Sequence, residues 1–199
     1  MNIDARTPSG QRVRWRDATL RVAGPLGPVL IVPMLTVAIT EEPGAAFDVE
    51  IDAEFDPESL RYRARALRIA SEDVTGAMLR TVRVLDYLRI ASRQGIFVQT
   101  EDPEESPPVS IAHWIGSRET LPLRFKEESP ALSLRYVAFV YLLASAASEP
   151  PAKAVERDLK VSPRTATNRI RAAREAGMLD WKVQLLSTGL SRQTERDGG

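Results

Sequence analysis

The chain has 199 residues, 43% hydrophobic and 27% charged, a composition that suits one large or two small folded domains and excludes wholesale disorder. Its 27 basic and 27 acidic residues cancel, so the total charge gives no evidence for a nucleic-acid partner. The absence of cysteine excludes disulfides, thiol nucleophiles and thiolate zinc sites.

No segment has the character of a signal peptide or a membrane span. Residues 1–11 are polar, and the most apolar run, residues 28–39, contains Pro33 and is too short to cross a bilayer as a helix. We therefore expect a cytoplasmic protein that does not associate with membranes.

The first elements predicted along the chain are β-strands. Residues 13–22 begin with apolar side chains alternating with arginines and predict a strand that breaks or bulges near Asp17. Residues 24–28 have turn chemistry, and residues 29–39 predict a buried strand interrupted by Pro33.

A β-hairpin is the clearest local pattern in the N-terminal half, after a predicted turn at residues 42–44. Apolar side chains alternate with acids over residues 47–55 and with arginines over residues 60–66, and residues 56–59 form the turn between them. One apolar face and an outer face of opposed charges are expected, at about 0.2–1 kcal/mol per cross-strand pair. This neutralisation is a simpler interpretation than a nucleic-acid stripe for the arginines of the second strand, which are Arg61, Arg63, Arg65 and Arg68.

No pattern of an enzyme, metal or cofactor site is present. The acids of residues 48–54 lack the glycine-containing loop of a calcium site, and there is no Gly-rich phosphate loop. His113 is the only histidine, and it follows no nucleophile or acid motif. We expect no catalytic activity, no metal and no cofactor.

The middle of the chain predicts one helix followed by irregular segments. Residues 74–92 have the spacing of a single amphipathic helix, which Gly95 would end. Residues 100–108 predict an exposed acidic loop, residues 110–125 have no clean period, and residues 126–130 predict a domain boundary.

Three helices are predicted in the C-terminal third. The first, residues 131–147, has an apolar face, and residues 152–159 form the second. Ser162 is a suitable N-cap for the third, residues 164–176, with Pro163 at its first position and Gly177 as its C-cap. Apolar residues after it are expected to fold back on the helices, namely Leu179, Trp181, Val183, Leu185 and Leu186.

The stretch LKVSPRTATNRIRAAREAGML, residues 159–179, gives a specific resemblance. Over residues 131–180 the chain resembles bacterial helix-turn-helix DNA-binding proteins, and it is similar to small actinobacterial and actinophage proteins with a C-terminal helix-turn-helix. The resemblance implies binding to double-stranded DNA. The chain departs from the family at Lys160, where a turn glycine is usual, and at Glu156, where a small residue is usual.

Local charge and helical spacing provide the candidate DNA-binding residues. Residues 150–182 contain eight basic and four acidic side chains, a local net charge of +4. One face of the third helix carries the candidates for reading bases, which are Arg164, Thr167, Asn168 and Arg171. The candidates for phosphate contacts are Lys153, Arg157, Lys160, Thr165 and Arg174.

The expected fold class is α+β with two parts. Residues 1–125 form a small, mainly antiparallel β unit with a packed helix, used for dimerisation or partner docking. Residues 129–186 form an all-α three-helix helix-turn-helix bundle without a clear two-strand wing, and residues 187–199 form a flexible tail.

The expected function is sequence-specific DNA binding, most simply by a transcriptional regulator. A single three-helix unit contacts few bases, so we expect a homodimer. The alternatives are a protein-interaction adaptor, or a DNA-binding accessory protein of a phage or mobile element.

Overall fold

The computed structural model describes residues 2–41, 47–99, 107–111, 113 and 129–186. The predictions that lie wholly or largely outside these residues are the turn at 42–44, the loop at 100–108, the irregular segment at 110–125, the boundary at 126–130 and the tail at 187–199.

Strands dominate the described residues up to position 110, and helices dominate those from position 130 onward. The strands are β1 (Asn2–Arg6), β2 (Leu20–Gly24), β3 (Gly27–Ile31), β4 (Met34–Thr40), β5 (Asp48–Asp56), β6 (Arg61–Ala70), β7 (Ile96–Val98), β8 (Val109–Ser110) and β9 (Val183–Leu185). The helices are α1 (Gly76–Thr81), α2 (Val84–Gly95), α3 (Pro130–Ala146), α4 (Pro151–Leu159) and α5 (Pro163–Glu175).

The fold is mixed α+β, as predicted, and its strands form two antiparallel sheets. Within the described residues the strand orders are β1-β4-β5-β6 and β8-β7-β3-β2-β9. The predicted interruption at Pro33 is confirmed, but the structure adds that the two halves of the segment, β3 and β4, lie in different sheets. Pro33 lacks the N–H that a continuous ladder needs, so the chain leaves one sheet there and enters the other.

The strand predicted over residues 13–22 is regular only in its second half. A single 3₁₀ turn, Trp15–Asp17, occupies the place where the break was predicted. Regular pairing begins at Leu20, and the predicted turn at 24–28 joins β2 to β3 as a hairpin.

The predicted acidic and basic hairpin is confirmed. Arg65 Nε lies 2.5 Å from Glu54 Oε2, Arg63 pairs with Asp56, and Arg68 lies 2.8 Å from a carboxylate oxygen of both Glu50 and Asp52. The hydrogen bond from Arg68 holds the pKa of Asp52 below its ordinary value, in spite of some desolvation. The outer face of this hairpin is therefore largely neutralised.

The prediction that the second strand of the hairpin has an apolar face is largely wrong. A bulge at Arg65 shifts the register, because Asp52 pairs with Ala66 while Ala53 pairs with Ala64. Of the residues in β6 only Tyr62 is buried, since β6 lies at the edge of its sheet.

The single helix predicted over residues 74–92 is two helices, α1 and α2, with a break at residues 82–83. Thr81 Oγ1 donates to the Met78 carbonyl at 2.7 Å, and Val82 is extended. Thr81 and Val82 are adjacent β-branched residues, and they favour such a break because β-branched side chains lose rotamer freedom in a helix.

Helix α3 contributes to both of the hydrophobic clusters that the described residues form. Phe139 and Leu143 belong to the cluster formed with the two sheets. Val137 and Val140 belong to the cluster formed with α4 and α5, and the three helices pack on one another. The prediction of one apolar face on this helix is incomplete, because α3 has apolar residues that pack on two of its sides.

The chain after α5 returns to the N-terminal part. Trp181 packs against both clusters, but Val183 and Leu186 pack on the sheet cluster, so the predicted folding back on the helices is only partly right. Strand β9 pairs with β2, and the Leu186 N–H donates to the Thr19 carbonyl at 2.8 Å. The division of the chain into domains stays a prediction. No helix in the described ranges is long and apolar enough to cross a membrane.

Gly95 ends α2, as predicted, and its site leaves no room for a side chain. A Cβ there would lie 2.6 Å from Tyr62 Oη and 2.7 Å from Leu35 Cδ1. Tyr62 is buried and donates to the Val32 carbonyl at 2.5 Å, so it cannot move away freely.

Gly95→Ala should therefore lower the free energy of unfolding by about 1–3 kcal/mol, because it overpacks the core. Gly76→Ala is the matched control, since a Cβ at Gly76 would meet nothing within 4 Å, and it should raise stability by about 0.4–1 kcal/mol. Urea unfolding measures both changes. Equal stabilities for the two variants would contradict this description of the core.

Candidate nucleic-acid interface

The ends of α5 are fixed by local chemistry that the sequence predicted. Ser162 Oγ accepts from the Thr165 N–H at 3.2 Å, and Pro163 occupies the first turn. At the other end Gly177 has φ +69°, and the Met178 N–H donates to the Ala173 carbonyl at 2.9 Å. This hydrogen bond across a left-handed glycine is a Schellman-type cap.

One face of α5 is buried and the opposite face is exposed. Ala166, Ile170 and Ala173 pack in the helical cluster. The four predicted base-reading residues, Arg164, Thr167, Asn168 and Arg171, are all exposed. This division is the amphipathic pattern of a helix that packs on one side and is free to bind on the other.

Polar contacts within α5 preorganise part of its exposed face. Arg171 Nη2 donates to Asn168 Oδ1 at 3.3 Å, so these two side chains lie together. Thr167 Oγ1 donates to the Pro163 carbonyl at 2.9 Å, which restrains its rotamer. Arg169 is directed differently, because its Nη1 lies 3.5 Å from Ser133 Oγ on α3.

The five predicted phosphate contacts differ in their surroundings. Lys153, Lys160 and Arg174 are exposed, and no carboxylate in the described part of the chain forms an ion pair with them. Thr165 is half-buried, and its hydroxyl lies 2.9 Å from Ser162 Oγ. Three of the five therefore have the exposed, unpaired charge that a phosphate contact requires.

Arg157, the remaining candidate, is exposed, but it pairs with two buried carboxylates. Its Nε donates to Asp158 Oδ1 at 2.7 Å and its Nη2 to Glu149 Oε2 at 3.1 Å. The hydrogen bond with Asp158 is the main reason that the pKa of Arg157 is raised above its ordinary value. Arg93 of α2 also pairs with Glu149, so the network joins the N-terminal part to α4.

Glu149 is the centre of this network, and its side chain is 6% exposed. Burial alone would raise the pKa of Glu149, but the charges and hydrogen bonds of Arg93 and Arg157 outweigh burial and lower it. Sequence reasoning missed this residue, because Arg93 is 56 positions away and no local pattern connects the two.

The turn between α4 and α5 is tight and left-handed. Helix α4 ends at Leu159, and Lys160 has φ +50° and ψ +47°. Its backbone N–H donates to the Glu156 carbonyl. Lys160 therefore occupies a left-handed position that favours glycine.

No protein-family model, curated protein or solved structure matches this chain. Among the residues that the structure describes, no group of three or more His, Cys, Asp and Glu side chains is arranged to hold a metal ion. The geometry of α3, α4 and α5 is thus the basis on which a function can be argued.

Lys160→Gly should raise the free energy of unfolding by about 0.5–1 kcal/mol, because the left-handed conformation is unfavourable for residues with a Cβ. Lys153→Gly removes the same charge from the body of α4 and should lower stability by about 1 kcal/mol. Chemical denaturation of both variants tests the assignment. A loss of stability in Lys160→Gly would show that the turn is not left-handed.

Glu149→Gln should lower the free energy of unfolding near neutral pH by about 1.5–3 kcal/mol, the range for hydrogen bonds to charged groups. The folded-state pKa of Glu149 lies below its ordinary value of 4.5. Its contribution is therefore present above 4.5 and is lost as the pH falls through the lowered folded-state pKa.

Urea unfolding at about pH 7 and about pH 3 should accordingly show a smaller difference between wild type and Glu149→Gln at the lower pH. Glu175→Gln, at an exposed position of α5, is the matched control and should change stability by less than about 0.5 kcal/mol. Equal effects of the two substitutions would rule out a buried ion pair at Glu149.

Proposed function

We propose that α3, α4 and α5 form a helix-turn-helix that binds double-stranded DNA, with α5 in the major groove. The observation that carries this proposal is the exposed face of α5, where Arg164, Thr167, Asn168 and Arg171 lie together opposite a buried apolar face. The capped start of α5 and the tight turn before it support the same assignment.

Each of the four predicted base-reading side chains of α5 has a base edge that suits it. Arg164 and Arg171 suit the two acceptors of guanine, and Asn168 suits the donor and acceptor of adenine. The methyl group of Thr167 suits the methyl group of thymine. Such pairs each discriminate against a wrong base by about 1–3 kcal/mol, so α5 supplies sequence preference.

The surrounding cations supply affinity without sequence preference. Lys153, Lys160 and Arg174 are exposed and suit contacts to phosphates on either side of the groove. Arg157 and Thr165, also predicted as phosphate contacts, are assigned positioning roles instead. The guanidinium group of Arg157 already binds Glu149 and Asp158, and the hydroxyl group of Thr165 already contacts Ser162.

The biological role that fits this interface is that of a cytoplasmic, sequence-specific transcriptional regulator. A single recognition helix reads few base pairs, so useful specificity requires a second copy on an adjacent half-site. We assign the chain a homodimeric state, with the contact between copies in the N-terminal part. The same DNA-binding activity would also serve an accessory protein of a phage or mobile element.

A protein-interaction adaptor is the second candidate, and one observation favours it. Leu79 on α1 and Leu85 on α2 are 49% and 73% exposed, which is unusual for large apolar side chains. An adaptor would bind a protein partner through such residues, and the cations of α5 would then be an incidental solvated face.

Fluorescence anisotropy of the full chain on a labelled random-sequence duplex, titrated with salt, separates the two functions. Wild type should bind, and its affinity should fall steeply as salt rises. The double variant Arg164→Ala, Arg171→Ala should weaken binding at least tenfold, the equivalent of about 1.4 kcal/mol.

The matched control is the double variant Arg63→Ala, Arg65→Ala on β6. It also removes two positive charges, but carboxylates of β5 already neutralise these two. This control should leave the affinity within about twofold of wild type, since a difference of that size is under 0.5 kcal/mol. No binding by wild type at low salt, or equal losses in the two double variants, would reject α5 as the DNA-binding helix.

A further inference from the structure

A second basic surface lies far from α5 in the sequence, in segment 12–16, which reads Arg-Val-Arg-Trp-Arg. Arg12, Arg14 and Arg16 are all exposed, and no carboxylate within the described ranges forms an ion pair with any of them. Trp15 between them is 37% exposed, a large fraction for a tryptophan in a folded protein.

The arginine stripe on β6 provides an internal comparison. It also alternates along the chain, but Arg63, Arg65 and Arg68 each face a carboxylate of β5. The charge of that stripe is largely neutralised within the protein, whereas the charge of segment 12–16 is not. An unneutralised group of three guanidinium ions attracts a polyanion, and planar guanidinium groups suit phosphate oxygens in particular.

Local contacts hold segment 12–16 in one shape. The Asp17 carboxylate accepts from the backbone N–H of Arg14 at 2.8 Å, and this contact closes the 3₁₀ turn. The Arg16 guanidinium lies over the Trp15 ring, 5.2 Å from its centroid. Both contacts reduce the entropy that the segment would lose on binding a ligand.

The chain also limits how far this segment lies from α5. Leu185 pairs with Leu20, and the Leu186 N–H donates to the Thr19 carbonyl, so residue 186 lies beside the start of β2. From the end of α5 at Glu175 to Leu186 the chain can span at most about 40 Å. One turn of B-DNA is about 34 Å long, so a duplex of two or more turns exceeds this span and is long enough to contact both surfaces.

We infer that segment 12–16 is a second DNA-contact surface, in which Arg12, Arg14 and Arg16 bind backbone phosphates of the duplex that α5 reads. This inference rests on the proposed function of α5 and extends the contact beyond the three helices. The segment supplies affinity and salt dependence, because phosphate contacts carry no sequence information. Trp15 holds Arg16 in position for its phosphate.

The test is the triple variant Arg12→Gln, Arg14→Gln, Arg16→Gln of the full chain, with a 30-bp duplex and the same sequence as a single strand as probes. The affinity falls as salt rises, and each lost phosphate contact reduces the magnitude of the slope of log affinity against log salt concentration by about 0.9. The loss of three contacts should therefore reduce the magnitude of the slope for the duplex by about 2–3. The matched control is Arg63→Gln, Arg65→Gln, Arg68→Gln, for which the slope should stay within about 0.5 of wild type. Thermal unfolding of both triple variants confirms that each is folded.

Each outcome decides the inference separately from the function of α5. An unchanged slope in the segment variant overturns the inference, while the loss of affinity in the α5 double variant still supports the proposed function. A loss confined to the single strand also overturns it, because Trp15 would then act as a stacking platform for unpaired bases. A slope of smaller magnitude in the segment variant, with no change of affinity in the α5 variant, would reject the proposed function of α5. It would also reject the inference that both surfaces bind the same duplex.

Discussion

The packing of α3 on two sides is the constraint on which the rest of the structure depends. Residues 130–146 include one charged residue, Arg135, which is exposed, and apolar side chains occupy most of the helix circumference. A helix that is apolar nearly all round is stable only when it is covered on more than one side. The two sheets cover one side of α3 through Phe139 and Leu143, and α4 and α5 cover another through Val137 and Val140.

This arrangement connects the proposed DNA-binding helices to the N-terminal part of the chain at three places. Helix α3 is shared by the two clusters, the carboxylate of Glu149 joins Arg93 to Arg157, and β9 joins the chain after α5 to β2. An isolated fragment beginning at residue 129 would expose the sheet-facing side of α3, so the full chain is the appropriate form for binding experiments. These connections hold α5 in place, which would lower the entropic cost of the proposed DNA binding.

The sequence predicted those features that depend on neighbouring residues. Ser162, Pro163 and Gly177 act through hydrogen bonds within a few positions, and the facing charges of β5 and β6 follow from alternation on either side of one turn. The same local reasoning placed the four candidate base-reading residues on one face of α5, and that face is exposed. It missed the change of sheet at Pro33, the pairing of β9 with β2 and the ion pair of Arg93 with Glu149, because each depends on chain segments that meet only in the folded protein. Arg157 is an example at the candidate site. Its sequence position predicts a cation that contacts phosphate, whereas in the fold it pairs with two buried carboxylates.

Hydrogen–deuterium exchange of the full chain, with and without duplex DNA, tests the central claim most directly because it locates the contact along the chain. Bound DNA should slow exchange in peptides that cover residues 161–171, whereas peptides in the buried centre of α3 should change little, since they are already protected. Slowed exchange at the exposed residues of α1 and α2, with residues 161–171 unchanged, would contradict the assignment of α5 as the DNA-binding helix.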